Sequence, residues 1–304
     1  MSEAILKKPF ISIVIASAAG GDFLFHCLNS LVDQYEENGA EIIVVDRRGE
    51  EMVEKIEKDY PNIRLVATSP EDRLSVPELR CLGIQQSRAE VVAVIEEHCI
   101  AAPDWIQSIL TEIQPGDAAV GGPVVDSKYQ RIQDWVVYFS EYHNYLPPWE
   151  AGPRYLLNGV NIAYNRELLV KHLDLLSQGY WEVVLHPALS RDGVFRAIPG
   201  MKVYHSGPFE YRYYLEQRYL LSRVWGGTQR QNVNPIKRLG YLILAPIIPL
   251  LLLIRMANRV MKSKNYLSKF IFSLPLLVPV VIAYTVGEWT GYLVGKGDAL
   301  QRVE

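Results

Sequence analysis

Four short runs rich in Ile and Val, at residues 10–16, 41–46, 63–67 and 91–95, recur at intervals of roughly thirty residues. Between the first two, Phe23, Leu24, Cys27, Leu28, Leu31 and Val32 fall at helical spacing within residues 22–35. Strands that are apolar on both faces belong in a sheet covered by helices on both sides. A strand–helix–strand repeat of this length closes through right-handed crossovers, so the pattern predicts an α/β fold with a mostly parallel sheet. Residues 50–59 read as a charged amphipathic helix stopped by Pro61. Ser75-Val76-Pro77-Glu78 combines a capping box with an early proline and starts a helix running to about Ser87. Further on, Pro103-Asp104-Trp105 opens another helix and residues 118–121 form a short strand before Gly122-Pro123.

The chain of 304 residues is long enough for one α/β domain and a smaller appendage. Its net charge of −3 hides an asymmetry: from Met201 onward there are 14 Lys and Arg against 5 Asp and Glu, leaving 17 against 29 before it. An acidic half joined to a basic, apolar half points to a catalytic domain held at an anionic membrane surface, and the acidic half argues against nucleic acid. Cys27, Cys81 and Cys99 are odd in number and match no metal-site spacing, as expected of reduced cytosolic thiols. Lys7-Lys8, the apolar residues 10–15 and Ala16-Ser17-Ala18 imitate a secretory signal, but Ile and Val favour a strand there.

Chemistry concentrates at the end of the fourth run, where Val91-Val92-Ala93-Val94-Ile95 gives way to Glu96-Glu97-His98. In open α/β sheets the carboxyl edge is where ligands bind. A carboxylate and an imidazole two residues apart on an extended chain point the same way, so one cation can take both.

The C-terminal third reads differently. Residues 240–254 and 270–286 are almost wholly apolar; Pro246 and Pro249 interrupt the first run, Pro275 and Pro279 the second. The stretch between them carries Arg255, Arg259, Lys262, Lys264 and Lys269 and no acid. Two ordinary spans would place those five charges away from the catalytic domain, against the positive-inside rule. The expectation is therefore broken, membrane-embedded helices whose basic loop returns to the cytosolic side. Ahead of them, Tyr211-Arg212-Tyr213-Tyr214 through Arg218, Tyr219, Arg223 and Trp225 suits either a helix at headgroup level or one packing its aromatics on the domain. The aromatic tract Trp135, Tyr138, Phe139, Tyr142, Tyr145, Trp149 and Tyr155 likewise suits a core or a membrane interface. The resulting division is a catalytic domain over residues 1–208, a linking amphipathic helix over 209–235 and a membrane-associated region over 236–304.

With these elements placed, residues 10–208 resemble the family-2 glycosyltransferases of the GT-A fold. The resemblance rests on Ile11-Ser12-Ile13-Val14-Ile15, Cys27-Leu28-Asn29-Ser30-Leu31 with Gln34, and Glu41-Ile42-Ile43-Val44-Val45-Asp46. It continues in Leu79-Arg80-Cys81-Leu82-Gly83-Ile84, in Ile95-Glu96-Glu97-His98-Cys99 with Pro103-Asp104-Trp105, and in Gly159-Val160-Asn161-Ile162-Ala163-Tyr164.

The resemblance implies an inverting, metal-dependent transfer from a UDP- or GDP-sugar to a lipid-linked or polysaccharide acceptor at the cytosolic face of the cell membrane. Glu96 and His98 would stand for the family's Asp-x-Asp, with His205 as third ligand; two imidazoles and one carboxylate suit Mn²⁺ better than Mg²⁺. Donor-binding positions would be Ala16 and Ser17 beside the nucleoside, Asp46 accepting from it, Arg80 near base or diphosphate, and Glu97 beside the metal pair. Glu182, in Tyr180-Trp181-Glu182, would be the catalytic base, its pKa raised beside Trp181. Ala18-Ala19-Gly20-Gly21 departs from the family's Asn-x-Glu stretch, and only one acid of its Glu-Asp pair is kept. Those departures keep a second reading open, a catalytically silent membrane scaffold or partner subunit. A nucleotidyltransferase would need a basic phosphate loop after the first strand, and a homo-oligomer is compatible with all of these readings.

Overall fold

All four Ile and Val runs become strands; the first, second and fourth are buried, while the third, at the sheet edge, is half-exposed. In the computed structural model, residues 9–19, 22–207, 210–263 and 265–303 are described. The positions named above at Lys7, Lys8, Gly20, Gly21, Pro208 and Lys264 lie outside them. The chain divides into two compact units, one of Met1–Val125 with Trp149–His205 and one of Asp126–Pro148 with Ser206–Glu304. A single cut at residue 208 would leave Asp126–Pro148 with the sheet, whereas this segment groups with the C-terminal helices.

In the first unit β1 (Ile11–Ser17), α1 (Asp22–Glu37), β2 (Ala40–Asp46), α2 (Glu50–Asp59), β3 (Arg64–Ala67), α3 (Val76–Gln86) and β4 (Val91–Ile95) follow in order. β1 pairs in parallel with both β2 and β4, and β2 with β3. Every residue of β1 is buried, as the unbroken apolar run requires. α3 starts where the capping box predicts: the Glu78 carboxylate accepts from the Ser75 backbone N–H at 2.8 Å and its hydroxyl at 2.6 Å. This helix lies close on the sheet because Gly83 has no side chain; a Cβ there would sit 2.4 Å from Cγ1 of Val14.

Beyond β4 come β5 (Cys99–Ala101), α4 (Trp105–Glu112), β6 (Asp117–Gly121) and β7 (Val124–Asp126). The eight-stranded sheet is ordered β3-β2-β1-β4-β9-β6-β10-β8, with β8 (Gly152–Arg154), β9 (Asn161–Asn165) and β10 (Val194–Ala197). β9 runs antiparallel between β4 and β6, so an antiparallel strand interrupts the parallel set next to the strand that carries Glu96. β5, β7 and β11 (Val203–His205) make a small second sheet in the order β5-β11-β7.

Asn161 at the start of β9 ties these parts together. Its amide donates to the carbonyls of Met201 (2.7 Å) and Pro123 (3.2 Å) and accepts from the Trp105 indole at 2.8 Å. Fully buried and fully bonded, Asn161 holds the architecture around the site.

The second unit is helical: α5 (Ile132–Tyr142) from the inserted segment, α9 (Tyr211–Asn232), α10 (Pro235–Leu244), α11 (Ile248–Ser263), α12 (Leu267–Val294) and α13 (Ala299–Arg302). Short α6 (Arg166–Leu169), α7 (Leu173–Ser177) and α8 (Glu182–Leu189) belong to the first unit. The aromatic tract is core here except for Tyr155, which is fully exposed. Trp135, Tyr138, Phe139 and Tyr142 are buried, with Trp135 5.8 Å from Tyr266 and Phe139 5.3 Å from Phe270, ring centre to ring centre.

The basic aromatic helix α9 is packed as well, buried along Tyr214, Leu220, Val224, Gly226 and Gly227 against α12. Glycine permits the close approach: a Cβ on Gly226 would meet the Glu288 carbonyl oxygen at 2.3 Å, and one on Gly291 the Arg223 carbonyl at 2.4 Å.

The apolar runs answer the expectation of broken helices unequally. The first is interrupted by a 3₁₀ turn, Ala245–Ile247, at Pro246. The second is one continuous helix of 28 residues with Pro275 and Pro279 inside it. It packs on α9 and α5, and the helix continues through the two positions where proline removes a donor. Arg255, Arg259 and Lys262 lie within α11 itself and not in a loop, with Lys262 in its last turn. Two stretches, Pro235–Ser263 and Leu267–Val294, are long and apolar enough to cross a membrane. Ile236, Ile243 and Leu250 in the first are 83%, 67% and 59% exposed, so the unit carries a wide apolar surface.

Candidate active site

The carboxyl ends of β1, β2 and β4 bring most of the expected donor-binding residues to one edge. Ser17 and Asp46 face each other in the parallel register of β1 and β2, and the Ser17 hydroxyl donates to Asp46 Oδ1 at 2.6 Å. Asp46 Oδ2 accepts from the backbone N–H groups of Arg48 (2.8 Å) and Gly49 (3.3 Å). Both oxygens of this fully buried carboxylate are thus engaged in shaping the turn after β2. Glu97 does the same for the turn after β1: its Oε1 accepts from Ala18 N at 3.0 Å and Ala19 N at 2.7 Å. Ala16 is buried behind them in a cluster with Ile43, Val45, Val76 and Leu79.

A charged cluster sits beside this edge. Arg80, on α3 and 3% exposed, places Nη1 2.5 Å from Glu182 Oε1 and Nη2 3.7 Å from Glu96 Oε1. Its guanidinium lies 5.7 Å from the Trp181 ring. Glu182 is the first residue of α8 and rests on the backbone of β9's approach, for a Cβ on Gly159 would fall 2.1 Å from the Glu182 carboxyl carbon. One buried cation therefore joins two acids separated by 86 residues in the chain, Glu96 and Glu182. Burial raises the Glu96 carboxyl above its ordinary range, against the opposing pull of Arg80 and His98.

Of the three expected metal ligands, two are brought together by sheet pairing. His205 lies opposite Cys99 in the antiparallel pair β11–β5, next to His98. Burial, with the neighbouring His98 as a smaller cause, pushes His205 well below the usual imidazole range. His98 packs its ring 4.8 Å from Phe23. The expected convergence of Glu96, His98 and His205 is not found. Among the described residues no three His, Cys, Asp or Glu side chains are placed to hold one ion. Glu96 instead lies within ion-pair range of Arg80, at 3.7 Å. The donor set, one carboxylate and two imidazoles, has the chemistry of a Mn²⁺ site.

The Glu182 carboxylate is held by Arg80 and cradled at Gly159. Sequence reasoning missed what lies behind it. His186, four residues on in α8, is fully buried and its Nε2 lies 3.0 Å from the Tyr164 hydroxyl, while its Nδ1 has no partner. Burial pushes this imidazole down to about 4. The spacing of Glu182 and His186 by one helical turn was the available signal.

The chain belongs to glycosyl transferase family 2, whose sequence model matches residues 12–173, more than half of it. A glucosyl-dolichyl phosphate glucuronosyltransferase of Haloferax volcanii is 29% identical over 105 residues, which are 34% of this chain and 31% of that enzyme. The match thus spans about a third of that relative. Among solved structures, the mannosyltransferase PcManGT from Pyrobaculum calidifontis, in complex with GDP-Man and Mn²⁺, superposes with a TM-score of 0.57 at 13% identity, covering 92% of this chain and 87% of that one. Residues 1–349 of S. aureus TarS superpose with a TM-score of 0.52, and their complex with UDP-GlcNAc with 0.53, both at 13% identity and covering 91% of this chain and 90% of theirs. The fold is therefore GT-A, and the chain is a glycosyltransferase by family.

Proposed function

We propose that the chain transfers a sugar, with inversion, from a UDP- or GDP-sugar to a lipid-linked acceptor, or to a polysaccharide, at the cytosolic face of the cell membrane. The observation that carries this reading is the cluster of buried Arg80 with the half-buried Glu96 and Glu182 beside the carboxyl edge of β4. A donor diphosphate is the stronger anion, and a guanidinium recognises phosphate through paired N–H donors. When Arg80 turns to the diphosphate, Glu182 is released and becomes available as a base. An acceptor hydroxyl then attacks the anomeric carbon while its proton passes to Glu182. The bond from that carbon to the β-phosphate oxygen breaks, and the electron pair leaves with the nucleoside diphosphate. An acceptor phosphate would arrive ionised and would need no proton transfer.

Support for the substrates comes from relatives: the Haloferax enzyme is named for a dolichyl phosphate glycolipid, and the solved neighbours hold GDP-Man and UDP-GlcNAc. The two long apolar helices support membrane association. The PcManGT complex contains Mn²⁺, and a divalent cation, Mn²⁺ before Mg²⁺, is part of the proposal; no step above depends on it.

The scaffold reading draws on one observation, that the Asp46 and Glu97 carboxylates already accept donors from their own chain. Thermal stability measured with UDP and with GDP, each with and without Mn²⁺, separates the two. Stabilisation by one nucleotide, followed by release of that nucleotide from its sugar conjugate, supports the transferase; no response to either favours the scaffold.

A further inference from the structure

The helical unit contains a second charged site that the transfer reaction does not use. His143, directly after α5, is buried, and its Nδ1 is bound to the Phe139 carbonyl at 3.0 Å. Its other nitrogen, Nε2, is buried without any hydrogen-bond partner. α11 is fastened over this turn: Arg259 donates to the Leu146 carbonyl at 3.4 Å, and the Ser263 hydroxyl to the Pro147 carbonyl at 2.5 Å. Arg255, one helical turn before Arg259, is exposed and makes no ion pair among the described residues. The acid two positions before His143 does not compensate it, because Glu141 is taken by Arg218 at 2.6 Å and by the Tyr214 hydroxyl at 3.0 Å.

We propose that His143, Arg255 and Arg259 form a binding site for the phosphate of a membrane lipid. Two guanidiniums one turn apart on a helix supply the paired donors that a phosphate accepts. A buried imidazole nitrogen with no partner is a polar group whose desolvation is offset only when something bonds to it. Burial, with the positive charges of Arg255 and Arg259 as smaller causes, pushes His143 down to about 4 against the opposing hydrogen bond to the Phe139 carbonyl. A bound phosphate counters that repulsion, and Nε2 either accepts the last proton of a phosphomonoester or, once protonated, donates to it. The apolar end of the ligand is argued from the same helix: Leu251, Ile254 and Met261, which flank the arginines, are 57%, 47% and 53% exposed. A free phosphate has no use for that surface, whereas an acyl or isoprenoid chain covers it.

The test uses the full chain in detergent with dioctanoyl phosphatidic acid, inorganic phosphate and dioctanoylglycerol as probes, read by calorimetric titration. Saturable binding of the phosphatidic acid is expected, with inorganic phosphate weaker and the uncharged glyceride silent. Arg255→Gln with Arg259→Gln removes two charge-assisted contacts and should weaken binding by roughly 100-fold. Arg255→Gln alone, at an exposed position that leaves the fold intact, should weaken it roughly tenfold. Lys237→Gln, on α10, serves as a control with no effect. Equal affinity in the wild type and in Arg255→Gln would overturn the proposal, as would inorganic phosphate binding as tightly as the lipid. Nucleotide binding at the sheet edge is measured on the same variants and should not change, so this site and the transferase reading can fail separately.

Discussion

Arg80 on α3 donates to Glu182 on α8 across 2.5 Å, tying the candidate base to the helix that follows the third strand of the sheet. The same guanidinium is 3.7 Å from Glu96. Replacing Arg80 with Gln leaves two partly buried acids, Glu96 and Glu182, with no cation between them. Breaking a fully buried pair costs on the order of 3 kcal/mol, and less here because both carboxylates keep contact with solvent. The expected outcome is a marked fall in the urea midpoint, partly restored in Arg80→Gln with Glu182→Gln, where one of the two uncompensated charges is gone. Additive losses in this cycle would show that the pair is not coupled.

For Glu182, the expectation depends on the acceptor. Glu182→Gln keeps the shape of the site and removes the proton acceptor, so transfer to a hydroxyl should fall by about 10²–10⁴-fold while nucleotide binding is spared. The measurement is kcat with each class of acceptor. Undiminished turnover would assign the acceptor to the already ionised class, a lipid phosphate.

Much of this arrangement was readable beforehand, and the divide follows a physical line. Strands β1, β2 and β4 announced themselves because burial on both faces demands unbroken Ile and Val. The antiparallel β9 did not announce its direction, since Asn161-Ile162-Ala163-Tyr164-Asn165 reads the same whichever way it is inserted. Ser17, Asp46, Glu96, Glu97 and His98 could be placed at one edge because strand ends converge there. Their partners could not. The contact of Arg80 with Glu182 joins residues 102 positions apart and depends on Gly159 leaving room, which no local pattern encodes. The aromatic tract was ambiguous for a similar reason: Trp135 and Phe139 suit a core or a membrane surface equally until Tyr266 and Phe270 are seen against them.

A pH titration of stability should expose Glu41. Burial alone would raise its carboxyl, but hydrogen bonds from the Ser12 hydroxyl (2.6 Å) and from Arg88, backbone and side chain (both 2.8 Å), outweigh burial and hold it below its ordinary 4.5. A depressed carboxylate binds its proton more weakly in the folded state. Its stabilisation is complete above the unfolded value of about 4.5 and is lost as pH falls through the lower folded value. Urea midpoints of the wild type should therefore drop more steeply below pH 4.5 than those of Glu41→Gln. Parallel curves would remove Glu41 from the account.

The last prediction concerns how the apolar helices meet the membrane. α12 is long enough to span, at about 1.5 Å per residue over its 28 residues. It does not run alone, however. α9 lies alongside it from the Tyr211 hydroxyl, bound to the Leu276 carbonyl at 2.6 Å, to Gly227, whose Cβ would touch the Lys296 backbone at 2.4 Å. A crossing by α12 would draw α9 through the hydrocarbon with Arg212, Glu216, Arg218, Arg223 and Arg230. Each such charge costs about 2.5–3.5 kcal/mol at the bilayer centre even on the most lenient scale. The opposite face of α12 exposes Phe272, Ile282, Val286 and Trp289. One packed polar side and one bare apolar side describe a helix lying in the interface plane. Arg255, Arg259 and Lys262 on α11 would then sit among anionic headgroups, attracted by about 1 kcal/mol each. Both ends of α12 should accordingly stay on the cytosolic side. Lys262→Cys and Gln301→Cys, both exposed and flanking α12, are to be treated in sealed right-side-out cells with an impermeant thiol reagent. Both should label only after permeabilisation. Labelling of either site from outside would mean that α12 crosses, and the in-plane arrangement would be abandoned while the family assignment stood.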